Sequence, residues 1–113
     1  MTDARKATDS LARARNALRL RDFETAEKHA RKHLLDDPTS QEARMVLGTV
    51  YIRTNRFSDA LSAFSSSVQT NPDDIRALEG MAIAYLRLDK PLDALSALED
   101  RKSTRLNSSH RIR

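Results

Sequence analysis

Apolar and small side chains recur along this chain every three or four residues, in blocks of about a dozen broken by short polar stretches. Leu11, Ala14, Ala17 and Leu18 make the first such face, which is the spacing that gathers side chains on one side of a 3.6-residue helix. The pattern predicts a helix starting near Asp9 or Ser10, with an earlier turn over Ala4–Lys6 left open, and stopping around Arg21–Asp22. A second helix, Phe23 to Leu35, turns Ala26, Ala30, His33 and Leu34 inward. Asp36-Asp37-Pro38 ends it, because proline cannot continue the hydrogen-bond ladder and biases the residue before it away from helical geometry. A third helix is predicted over Gln41–Thr54, packing Leu47, Gly48, Val50 and Tyr51. A fourth follows over Ser58–Thr70, packing Ala60, Leu61, Phe64 and Val68, with Ser58 as its N-cap. Asn55 falls in the turn between these two, where asparagine tolerates a left-handed backbone, and Asn71-Pro72 ends the pair. From Ile75 the pattern starts again, with Leu78, Met81, Ala82 and Tyr85, then a turn at Lys90-Pro91, then Ala94, Leu95 and Leu98. It fails at Asp100.

These blocks repeat with a period of 34 residues. Phe23, Phe57 and Pro91 align at that spacing, as do Ala26, Ala60 and Ala94; Ala14, Gly48 and Ala82 form a third set, and Pro38 and Pro72 a fourth. Small residues recur where helices would cross and large ones where they would fill gaps. A fixed period of this length marks a stack of helical hairpins, each burying its apolar face on its neighbours. The reading divides the chain into a short extension (1–6), a divergent first copy (7–40), a typical second copy (41–74), a third copy (75–100) and a basic tail (101–113).

The second copy carries Leu47-Gly48-x-x-Tyr51, then Ala60-x-x-x-Phe64, then Pro72. On these residues the chain resembles a tetratricopeptide repeat protein over residues 7–100. Arg44 stands where the family pattern has tryptophan, with Ser10 and Leu78 at that position in the other copies, and Arg13 and Ala17 replace the leucine and tyrosine of the first. The resemblance implies an all-α, right-handed superhelical stack of antiparallel helix pairs. It also implies a scaffold that binds a protein or peptide in a concave groove lined by the first helix of each pair, without catalysis.

Carried over residue by residue, that lining is Leu11, Arg15, Leu18 and Arg19, then Met45, Thr49, Ile52 and Arg53, then Glu79, Ile83, Leu86 and Arg87. Arg19, Arg53 and Arg87 recur one repeat apart. Such a row suits an extended peptide with acidic or carbonyl groups, since a guanidinium can give two parallel hydrogen bonds to a carboxylate. The plainer reading is that an arginine near a helix C-terminus is soluble and sits favourably in the helix dipole. Chaperone-binding members of the family hold a partner's C-terminal carboxylates with a basic and asparagine clamp. The matching positions here are Leu11, Arg15, Val46, Arg76 and Gly80, of which only Arg76 has the expected chemistry, so that specialised role is not implied. A rival architecture makes the repeats the N-terminal part of a longer enzyme, such as a transferase. A third role, self-association, is suggested by Leu95 and Leu98 if no further helix covers them.

Charge and composition narrow the remaining classes. The chain carries a net +4, but five cations and no acid fall after residue 100, so residues 1–100 carry −1. The basic balance therefore belongs to the tail, and no nucleic-acid partner is expected. Residues 100–110, DRKSTRLNSSH, look like one frame of a translated sequencing adaptor, which implies a natural chain interrupted within the third copy. There is no cysteine, hence no thiolate metal site or disulfide framework. Met45–Ile52, the longest nearly apolar run, is far too short to span a bilayer, so a cytoplasmic protein without membrane contact is expected. His29 and His33 stand four apart, a spacing that could place two imidazoles on a metal, yet no third ligand accompanies them and a structural pair is expected. Asp36-Asp37 and Asp73-Asp74 read as turn and cap residues. No phosphate loop or nucleophile constellation is present, and no cofactor is implied.

Overall fold

The structure is a computed structural model that describes the backbone of residues 2–99 and the side-chain surroundings of residues 9–99. Five helices, α1 (Thr2–Arg19), α2 (Phe23–Asp36), α3 (Gln41–Arg53), α4 (Phe57–Thr70) and α5 (Ile75–Arg87), are followed by α6 over residues 91–99. Each of the first five packs on the next, and α1 also meets α3, as α3 meets α5. The odd-numbered helices therefore stand side by side in one row. Ala94 and Ala97 of α6 close against Ala82, Met81 and Tyr85 of α5. The expected all-α stack of hairpins is what the chain forms.

Local chemistry explains most helix ends. Asp22, Ser40 and Asp74 cap α2, α3 and α5, their side chains accepting from the N–H groups of Thr25, Ala43 and Ala77 at 3.3, 3.2 and 3.2 Å. Each satisfies a donor that the first helical turn leaves open. Asp37 closes α2, and its carboxylate accepts from the N–H and hydroxyl of Thr39 at 3.2 and 2.8 Å. Two expectations fail at helix starts. α1 begins at Thr2, not at Asp9 or Ser10: no glycine or proline interrupts residues 2–10, Ser10 is buried and Asp9 pairs along the helix with Arg13 at 3.6 Å. Ser58 is not a cap either. α4 starts at Phe57, and Arg56 at the cap position makes no side-chain cap bond, being drawn instead to Glu27 at 2.8 Å and Asp59 at 3.3 Å.

The turns within the three hairpins are alike. Arg21, Asn55 and Asp89 adopt left-handed φ values of 65°, 64° and 63°, one repeat apart. In each, the next residue donates its N–H to the carbonyl five residues back, to Ala17, Tyr51 and Tyr85 oxygens at 2.8, 2.7 and 2.8 Å, the bond of a Schellman helix end. Asparagine at Asn55 signals this turn; arginine and aspartate in the others do not.

The core is built of alanines where helices cross, Ala14, Ala26, Ala30, Ala60, Ala77 and Ala84 among them, with Val50, Tyr51 and Phe64 filling between. Phe64 enters the narrowest place. A Cβ on Gly48 would stand 2.5 Å from Phe64 Cε1, and one on Gly80 2.6 Å from Phe64 Cε2. The helical glycine at position 48 thus has the packing cause its pattern implied, and Gly80 shares it. At the position of the missing tryptophan, Ser10 and Leu78 are buried, while Arg44 bridges a repeat boundary by donating to the Pro38 carbonyl and to Thr70 Oγ1.

Candidate functional site

Because α1, α3 and α5 form one row, residues four apart on each present a continuous side. A cleft of about 210 Å³ opens there, lined by Arg15 and Leu18 of α1, Glu42, Met45, Val46 and Thr49 of α3, and Arg76 of α5. Its floor is apolar and its rim is charged. Arg15 Nη1 lies 2.8 Å from Glu42 Oε2, joining α1 to α3 with both side chains about half exposed. Arg76, across the cleft, makes no ion pair among the described residues. Thr49 donates its hydroxyl to the Met45 carbonyl at 2.8 Å, so its methyl and oxygen are held in one orientation. A second cleft, of about 240 Å³, lies between α2, α3 and α4 and is lined in part by Leu34, Leu47 and Tyr51. Its lining mixes both helix rows around core side chains, whereas the first lies along the α1–α3–α5 row and includes Arg76, which has no ion pair among the described residues.

The expected groove residues are distributed unevenly. Arg15 and Thr49 reach the cleft with Leu18 and Met45. Leu11 does not; it is buried and belongs to the packing of α1. Ile52 is half-buried against the core. Ile83 and Leu86 are exposed on α5, as is Glu79. Arg19, Arg53 and Arg87 occupy the last turns of α1, α3 and α5. There Arg19 donates to Asn16 Oδ1, Arg53 is exposed, and the Arg87 guanidinium lies 5.9 Å from the Phe57 ring centre. Glu42 was not among the sequence candidates. The signal for it was the period itself: Glu42 and Arg76 occupy the same repeat position with opposite charge.

The histidines of α2 stay apart from this surface. Burial lowers the pKa of His29, with Arg13, Lys28 and Lys32 adding repulsion, and its Nδ1 is buried without a hydrogen-bond partner among the described residues. His33 is buried on the face that packs inward. Among the described residues no group of three or more His, Cys, Asp or Glu side chains could hold a metal ion, and no helix is long and apolar enough to cross a membrane. The adaptor-like stretch and the basic tail lie outside the described residues.

A family model described as "Anaphase-promoting complex, cyclosome, subunit 3" matches residues 19–101. The chain belongs to that family, one of the tetratricopeptide type. Its sequence is 27% identical over 70 residues to Hsp70-Hsp90 organizing protein 3 of Arabidopsis thaliana, covering 62% of this chain and 12% of that protein. Among solved structures, MamA superposes with a TM-score of 0.85 at 15% identity, over 92% of this chain and 61% of the other. The complex titled "TPR2B-domain:pHsp70-complex of yeast Sti1" superposes with a TM-score of 0.83 at 17% identity, over 91% and 84%. At these identities the two structures speak to the fold, and they share the tetratricopeptide solenoid. The chain spans about an eighth of the length of its curated relative, so the tetratricopeptide assignment describes this stretch rather than a whole protein's activity.

Proposed function

We propose that this tetratricopeptide chain is a protein-interaction scaffold that holds a segment of a partner protein along the row of α1, α3 and α5. One observation carries the reading: the cleft on that row joins an apolar floor of Leu18, Met45 and Val46 to cations from two different helices. An apolar floor supplies area to bury, and the cations fix orientation and register by pairing with the partner. Arg19, Arg53 and Arg87 extend the positive edge along the ends of the same helices. The related Hsp70-Hsp90 organizing protein supports a protein partner, and a cytoplasmic setting accords with that relative's name.

A photocrosslinking residue placed at Thr49 tests the reading, with one at Lys32 of α2 as the control face. Crosslinks to a partner protein are expected from Thr49 and not from Lys32, and Arg53→Glu with Arg87→Glu is expected to reduce them without changing helicity. Equal labelling from both positions would remove the groove assignment. The exposed leucines of α6 favour a second contact of this scaffold, with another copy of itself: Leu92, Leu95 and Leu98 are 79%, 52% and 36% exposed.

A further inference from the structure

The cleft has two cations, and among the described residues only one of them is held in an ion pair. Arg15 is engaged with Glu42 at 2.8 Å, while Arg76 faces the same space with no ion pair among the described residues. Glu42 and Arg76 stand at equivalent positions, one repeat apart, in the first turns of α3 and α5. Charge is therefore reversed between neighbouring helices at the point where a bound segment would pass from one repeat to the next.

Resting on the groove reading above, we infer that Glu42 is a specificity-determining residue: it occupies Arg15, so the cleft accepts an apolar segment bearing a single acidic side chain at Arg76 and discriminates against a second acid nearby. An incoming carboxylate at Arg76 meets a guanidinium with no ion pair among the described residues and can take two parallel hydrogen bonds. A second carboxylate placed toward Arg15 meets an occupied cation and the negative charge of Glu42. It must either displace Glu42, breaking a made ion pair, or remain beside a like charge; both disfavour it. Leu18 of α1 and Met45 and Val46 of α3 line the same cleft, so a segment lying on them is favoured when apolar there. The geometry thus assigns selectivity to a carboxylate that belongs to the protein itself, acting by repulsion as much as by pairing. The ligand class is a side-chain carboxylate within an extended protein segment.

The test uses random heptapeptides displayed at the N-terminus of a phage coat protein, where no chain-terminal carboxylate is free. They are selected against the full chain and against its Glu42→Gln, Arg76→Ala and Arg15→Gln/Glu42→Gln variants, each checked for retained helicity. The native chain is expected to enrich apolar peptides with one acid, and Arg76→Ala to lose that acid. Glu42→Gln is expected to enrich peptides with two. For amidated synthetic peptides drawn from the two pools, the affinity ratio of two-acid to one-acid peptide should rise about fivefold in Glu42→Gln, the upper range for an exposed charge pair. That rise should vanish in Arg15→Gln/Glu42→Gln. An unchanged ratio, with enrichment that still depends on Arg76, overturns the role of Glu42 and leaves the groove in place. Enrichment insensitive to Arg76, or no enrichment by any form, overturns the groove reading itself and the inference with it.

Discussion

Phe64 is held between Gly48 of α3 and Gly80 of α5, the only two glycines of the chain, and this contact sets how closely three helices approach. Alanine at position 80 would gain roughly 1 kcal/mol of helix propensity but would force the ring aside, at about 1–3 kcal/mol for overpacking. Gly80→Ala is therefore expected to lower stability by about 1 kcal/mol in the native background and to raise it in a Phe64→Leu background. Urea denaturation of the four proteins reads the sign change, and additive effects would show that the ring is not the cause. Ser67 offers the opposite case. Its hydroxyl is fully buried with no hydrogen-bond partner among the described residues, so Ser67→Ala is expected to stabilise the chain by about 1 kcal/mol in the same measurement. The sequence made Gly48 legible, because a glycine inside a helical pattern needs a packing cause. It did not make Gly80 or Ser67 legible, since both depend on which side of α4 meets which turn of α5.

Between elements, Glu27 of α2 ties the first hairpin to the second. Its carboxylate accepts from Arg56 Nη1 at 2.8 Å and Arg31 Nε at 3.0 Å. Arg31 in turn donates to the Tyr51 hydroxyl at 2.7 Å, and the Arg56 guanidinium stacks 4.5 Å from the Tyr51 ring centre. Hydrogen bonding from Arg56 above all, and from Arg31, lowers the Glu27 pKa against an opposing effect of burial. A carboxyl whose folded pKa lies below its unfolded value stabilises the fold fully above the ordinary carboxylate range. That stabilisation is lost as pH falls through the folded value. Glu27→Gln should therefore lower the urea midpoint at pH 7, and the gap to the native chain should close as pH falls below the ordinary carboxylate range. A gap that persists in acid would mean the side chain acts by packing alone. The Glu27–Arg31 pair is a local i,i+4 contact, but the links between hairpins are not legible in the sequence, because Arg31–Tyr51 and Glu27–Arg56 lie 20 and 29 residues apart and meet only once the hairpins stack. Ser58 suits a cap locally, but α4 begins at Phe57 with Arg56 at the cap position, paired across hairpins with Glu27.

On the scale of the whole chain, the 34-residue period carried the architecture, because every hairpin meets the same packing demands at the same positions. Which cations face the groove was less legible, since it depends on the rotation of each helix against its neighbours; Leu11 turned inward while Glu42 turned out. The period also predicts what α6 should meet. Leu61 and Phe64 of α4 are half-buried and buried beneath the following helix, and Leu95 and Leu98 occupy their positions one repeat later. Among the described residues no helix covers them, and Leu92 adds a third leucine three residues before. Leucines at this spacing form a narrow stripe that can pair with its own copy about a two-fold axis. The stripe is far smaller than the roughly 800 Å² per partner of a stable interface, so the association expected is weak and reversible. Light scattering across a concentration series should show the mean mass rising, more steeply at high salt because the contact is apolar and the surrounding charges are screened. Leu95→Lys with Leu98→Lys should hold the chain monomeric while leaving its helicity unchanged. A mass independent of concentration in the native chain would remove self-association from the scaffold's repertoire and leave the α1–α3–α5 groove as the one surface proposed for binding.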